Sequence, residues 1–207
     1  MCLKLWLLQA DSTPALPFQH ISKLCCGYLD MQATPDSTVA GETAKLRGLL
    51  ELLQSNGAVL QVGRIMEPTS YGQWRAAGLS ALTGPGCRIV FSNPRECMVA
   101  NMLLDVADIT AIARTWGSQL YGLIPKCTLT PAAWAAITAS NFPRLALLSG
   151  LDASEADLSV VSTGLRALRM SWPRDRQLGV TLRGPPGEAC CAALQACGRT
   201  NVRVTAE

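Results

Sequence analysis

The chain repeatedly changes from a short apolar run to a helix-forming run, and this alternation constrains its fold more than any single residue does. Three apolar starts, Leu120-Tyr121-Gly122-Leu123, Leu145-Ala146-Leu147-Leu148 and Leu168-Arg169-Met170, follow one another at intervals of 25 and 23 residues. Such a period belongs to repeat architectures. Behind the first start, Thr130 and Pro131 set a capping hydroxyl before a proline at the first helical position, where its missing N–H does no harm. Ala132, Ala133, Ala135 and Ala136 around Trp134 allow a close helical surface. Behind the second start, Ser154 and Asp157 have the spacing of a reciprocal cap, and Leu158, Val161 and Leu165 continue an apolar helical stripe. Units that repeat strand then helix in one chain direction make their strands parallel. The expected fold is therefore an α/β solenoid with parallel strands over residues 40–204.

The rest of the chain supplies further units with looser spacing. Leu46, Leu49, Leu50 and Leu53 recur at helical spacing between a capping Ser37 or Thr38 and a terminating Gly57, which predicts a helix over Ala40–Ser55. Val59–Val62 reads as a strand, Tyr71–Leu82 as a helix ended by Gly84-Pro85-Gly86, and Cys87–Phe91 as the next strand. Asn93, Pro94 and Glu96 form a start signal that predicts a helix over Pro94–Met102, and Ile109–Trp116 returns as helix. Beyond Trp172 the pattern gives a strand over Leu178–Leu182, a short helix from Pro185 through Cys197, and a last strand near Asn201–Val204. Residues 1–38, with Pro14, Pro17 and Pro35, read as a lead-in or N-terminal cap; residues 39–207 read as a repeat domain that includes its C-terminal cap.

The segment Leu120-x-x-Leu123-x-x-x-Cys127-x-Leu129-Thr130 resembles the leucine-rich repeat, in its cysteine-containing, ribonuclease-inhibitor-like variety. The resemblance implies a leucine-lined strand entering a turn held by a buried Cys or Asn, with a helix returning on the convex side. Two departures stand out. Ile124-Pro125 replaces a clean alternation, and Gly150-Leu151 stands where Cys or Asn belongs. The alternative is an ordinary α/β domain whose similar spacing is coincidental.

Composition and single residues narrow the chemistry. A chain of 207 residues buries about 70% of its unfolded surface, so no metal or disulfide is needed to supply a core. Nine cysteines, an odd number, with adjacent pairs Cys25-Cys26 and Cys190-Cys191, lack the paired short spacings of a zinc site; free buried thiols in a reducing compartment are the expectation. His20 is the only histidine, which excludes a histidine-rich metal site and leaves any Ser or Cys triad dependent on that one base. There is no Gly-x-Gly-x-x-Gly run after a strand and no glycine-rich loop ending in Lys-Ser or Lys-Thr, so no cofactor is expected. Asp105 with Asp108, and Asp152, Glu155 and Asp157, read as caps or solvent-facing charges. No run is long enough to span a membrane, and the apolar group Leu5–Leu8 is shorter than a secretory core. The expectation is an intracellular, cytoplasmic protein, with a mitochondrial address as the alternative.

The best candidate surface is basic: Arg166, Arg169, Arg174, Arg176 and Arg183, interrupted by Asp175, beside Trp172. If Leu168 and Met170 point inward from a strand, Arg169 points to the opposite face, where guanidinium forks pair with phosphate or carboxylate and Trp172 adds stacking. The net charge of +3 does not by itself imply a polyanion. The sequence thus points to a noncatalytic module that binds protein or joins a multiprotein assembly. RNA association is the second reading and an α/β enzyme the third.

Overall fold

The computed structural model describes residues 22–30, 39–66, 83, 89–92, 95, 97–125, 127–152, 158–184 and 201–206. The chain divides into two compact units, Met1–Cys97 and Met98–Glu207.

In the first unit, helix α1 (Val39–Ser55) follows strand β1 (Lys23–Asp30) and precedes β2 (Val59–Met66). The periodic leucines act as their spacing requires: Leu50 and Leu53 are buried with Leu60, Val62 and Ile65 of β2. The helix ends in a left-handed turn at Gly57, φ 64°. There the Ala58 and Gly57 amides donate to the carbonyls of Leu53 and Gln54 at 2.8 and 3.0 Å, the paired closure that a glycine after the last turn permits. β1 lies in the segment expected to be a lead-in and runs parallel to β2 from Lys23↔Val59 to Asp30↔Met66. On the other side of β2, β3 (Ile89–Phe91) is also parallel.

The second unit is the more regular. Strands β4 (Met98–Met102), β5 (Gly122–Pro125), β6 (Leu147–Asp152), β7 (Leu178–Arg183) and β8 (Val202–Ala206) are all parallel and lie in chain order. Between them run helices α2 (Val106–Trp116), α3 (Pro131–Ala136) and α4 (Leu158–Ser171). Parallel crossovers are right-handed, so steps that all advance in one direction place every helix on the same face of the sheet. Consecutive helices accordingly pack on one another, α2 on α3 and α3 on α4. Register partners run Met98↔Gly122, Gly122↔Leu147 and Leu147↔Gly179, then Leu178↔Val202. This is a parallel, alternating α/β architecture of the repeat-like kind.

The helix face of the sheet carries the core: Val99, Leu123, Leu148, Val180, Leu182 and Val202, under Ile109, Ile112, Trp134, Val161 and Leu165. Each helix-to-strand turn adds one buried aromatic, Trp116, Phe142 and Trp172. On the opposite face Met98, Leu147, Gly179 and Thr181 are half-buried. A carbon added to Gly122 would lie 2.8 Å from Met98 Cγ, so the small residue is where its neighbour's side chain rests. Gly150, φ 74°, sits where the β6–β7 register shifts between Leu148 and Leu151; such irregularities suit glycine because it adopts a left-handed backbone without strain.

Local signals set several element ends. Asp105 and Asp108 form a reciprocal cap on α2, each carboxylate accepting from the other's backbone N–H at 2.9 Å. Thr130 Oγ1 accepts from the Ala133 amide at 3.2 Å, with Pro131 next to it in the first turn of α3. The caps expected at Asn93 and at Ser154 with Asp157 fall outside the described residues, as do the helices expected over Tyr71–Leu82 and Pro185–Cys197.

Two expected elements are different. Met98–Met102, expected in a helix, is strand β4: its alternation of buried Cys97 and Val99 with half-buried Met98 fits pairing with β5, and tertiary pairing outweighs the start signal at Asn93-Pro94. Leu168-Arg169-Met170, expected as a strand, is the last turn of α4. Val161, Leu165, Leu168 and Trp172 are all buried and continue one helical stripe past that point. Met170 is 65% exposed, which an inward-facing strand residue is not. The strand of this repeat is Leu178–Arg183, close to the expected Leu178–Leu182.

Candidate interaction surface

Helices in the second unit run antiparallel to the strands, so their C-termini and the N-terminal ends of the strands share one edge. The arginines expected to bind a partner lie on α4 and at this edge, but they do not form one exposed group. Arg166 and Arg174 are exposed. Arg169 is 8% exposed, and its Nε donates to the Val202 carbonyl at 3.2 Å, stitching α4 to the start of β8. The expectation that it faces outward from a strand is corrected: it lies on a helix, on the side turned to the sheet. Trp172 is 2% exposed, so its ring is a core element and presents no stacking face. Its carbonyl accepts from Asn201 Nδ2 at 2.8 Å, which joins the α4–β7 turn to the residue before β8. Arg176, half-buried, donates from Nη1 to the Pro143 carbonyl and sets its guanidinium 5.9 Å from the Trp172 ring centroid, within cation–π range.

Two further arginines on this edge escaped the sequence reading. Arg114 lies in the last turn of α2, and Arg144 is exposed in the connection from α3 to β6. A recurring tripeptide marks the positions: Phe142-Pro143-Arg144 and Trp172-Pro173-Arg174 each join a buried aromatic to an exposed arginine in successive helix-to-strand turns. Between the first of these turns and the end of α2 lies an open depression of about 390 Å³, bordered by Thr110, Arg114, Ser118, Ser140, Asn141 and Pro143. Among the described residues on this edge, Asp175 is the one acid. The other edge carries Asp105, Asp108 and Asp152, and with them Arg183, the last residue of β7, which is thereby separated from the basic group in which the sequence placed it. Cations near helix C-termini also complement the helix dipole, so part of this asymmetry serves the helices themselves.

At the opposite edge, Cys127 binds both backbone groups of Leu104 one repeat earlier: its sulfur accepts from the Leu104 amide and donates to the Leu104 carbonyl, each at 3.3 Å. The thiol is thus used in holding neighbouring repeats together. Cys25, Cys97 and Cys127 are thiols outside any disulfide, with Cys97 buried as expected and Cys25 exposed. Among the described residues no three His, Cys, Asp or Glu side chains gather as a metal site, and no helix is long and apolar enough to cross a membrane. Comparisons with family models, with curated proteins and with solved structures return no match.

Proposed function

We propose that the chain is a noncatalytic interaction scaffold of leucine-rich-repeat-like design that docks a protein partner or joins a multiprotein assembly inside the cell. The observation that carries this reading is the second unit itself: five parallel strands in chain order, with the described helices on one face, leaving a long loop edge and, among the described residues, a sheet face without helices for contact. Repeat arrays present such extended surfaces without any special catalytic group. The Cys127–Leu104 bonds support the likeness to the cysteine-containing variety, since they occupy the turn after a leucine-bearing strand. On this reading Arg166, Arg174 and Arg176 contribute to partner contact, with Trp172 and Arg169 holding the backbone beneath them.

The test is recovery of partners by tagged full-length chain from native lysate, with and without nuclease, beside an Arg166→Ala and Arg174→Ala double variant. The reading expects defined, nuclease-resistant protein partners that the double variant recovers less well. Loss of every partner after nuclease treatment would instead support RNA-associated assembly.

A further inference from the structure

The basic edge is continuous across three repeats. Arg114 and Pro143 border the same hollow, Arg144 follows Pro143 directly, and Arg176 reaches back to bond the Pro143 carbonyl. Arg174 extends the line from the next turn and is exposed, like Arg114 and Arg144. Arg114, Arg144 and Arg174 thus belong to three successive helix-to-strand connections, a row that an extended chain crossing the ends of the strands would meet in order. The hollow adds the exposed hydroxyls of Ser118 and Ser140, donors that suit a carboxylate.

The row is basic, but it lacks the second feature of a single-stranded nucleic-acid groove. Binding to bases draws on exposed aromatic faces, and no aromatic of these turns is exposed: Trp116, Phe142 and Trp172 are buried and Tyr121 is half-buried. We propose that this edge docks an extended acidic peptide segment of a protein partner, pairing its carboxylates with Arg114, Arg144 and Arg174. Guanidinium forks favour this pairing because they meet a carboxylate with two parallel hydrogen bonds. The proposal rests on the scaffold reading and names the partner's chemistry.

The experiment measures fluorescence anisotropy of full-length chain with three labelled probes: a decapeptide alternating Glu and Ala, its Gln counterpart, and a ten-nucleotide oligouridylate. Three proteins are compared: the unmodified chain, an Arg114→Ala and Arg144→Ala variant, and a Lys23→Ala and Arg47→Ala control that removes the same charge from exposed positions in the first unit. Thermal melting checks that all three are folded. The expected result is binding of the Glu peptide over the Gln peptide and the oligouridylate. The edge variant should bind about tenfold more weakly for two lost ion pairs, and the control should stay near the unmodified value.

Equal loss in edge variant and control, tighter binding of the oligouridylate, or no preference for Glu over Gln each overturns the proposal. If the Glu peptide does not bind while nuclease-resistant protein partners are still recovered from lysate, the acidic-peptide inference fails and the scaffold reading stands. If those partners are also missing, the scaffold reading fails with it.

Discussion

Gly164 of α4 meets the indole of Trp134 so closely that an added carbon would lie 2.5 Å from ring atoms Cγ and Cδ2. A buried ring in α3 has nowhere to retreat, so we expect Gly164→Ala to lower stability by about 1–3 kcal/mol, as overpacked cores do, measured as a fall in urea midpoint. Gly48 of α1 is the opposite case. It is exposed, with nothing within 4 Å of the added carbon, and Gly48→Ala should raise stability by roughly 0.5–1 kcal/mol through backbone entropy alone. Arg169 and Leu168 separate two uses of neighbouring residues. Leu168 is buried, and its replacement by alanine should cost about 2–5 kcal/mol. Arg169→Ala removes a buried donor to the Val202 carbonyl, and we expect a stability loss of roughly 1–3 kcal/mol. Alternation of apolar and polar residues alone could not place Arg169, because Leu-Arg-Met fits a strand edge and a helix end equally well.

At the level of elements, caps, periodic leucines and the parallel run of the strands were readable, and the strand identity of some segments was not. Thr130-Pro131 announces α3, the leucines of residues 46–53 announce α1, and the spacing of Asp105 and Asp108 admits a cap beside a solvent-facing pair, because each of these signals acts between residues four or fewer positions apart. A test of this locality is Thr130→Ala, which should destabilise α3 by about 1 kcal/mol and speed hydrogen exchange at the Ala133 amide that Thr130 receives. β4 was missed because its strand character depends on Gly122 and its neighbours in β5, more than twenty positions away. The basic edge was half legible for a related reason. Arg174 and Arg176 are adjacent in sequence to a visible cluster, whereas Arg114 and Arg144 join them only after the turns of three repeats are laid side by side.

From β5 to β7 each strand is bonded to the strands immediately before and after it, so stability is shared between neighbours in a line. Asn201→Ala removes the buried amide that donates to the Trp172 and Pro173 carbonyls at 2.8 and 3.3 Å. Hydrogen exchange should then accelerate in β7 and β8 and stay close to unmodified rates in β4 and β5; uniform acceleration would show that the unit opens as one block. The same linear bonding has an evolutionary side. A duplicated or deleted strand-and-helix segment leaves every remaining strand with the same kind of parallel neighbour and every crossover with the same hand. Related chains should therefore differ in length by whole units inserted between turns, with the aromatic-Pro-Arg tripeptide copied along as the seam of each new unit.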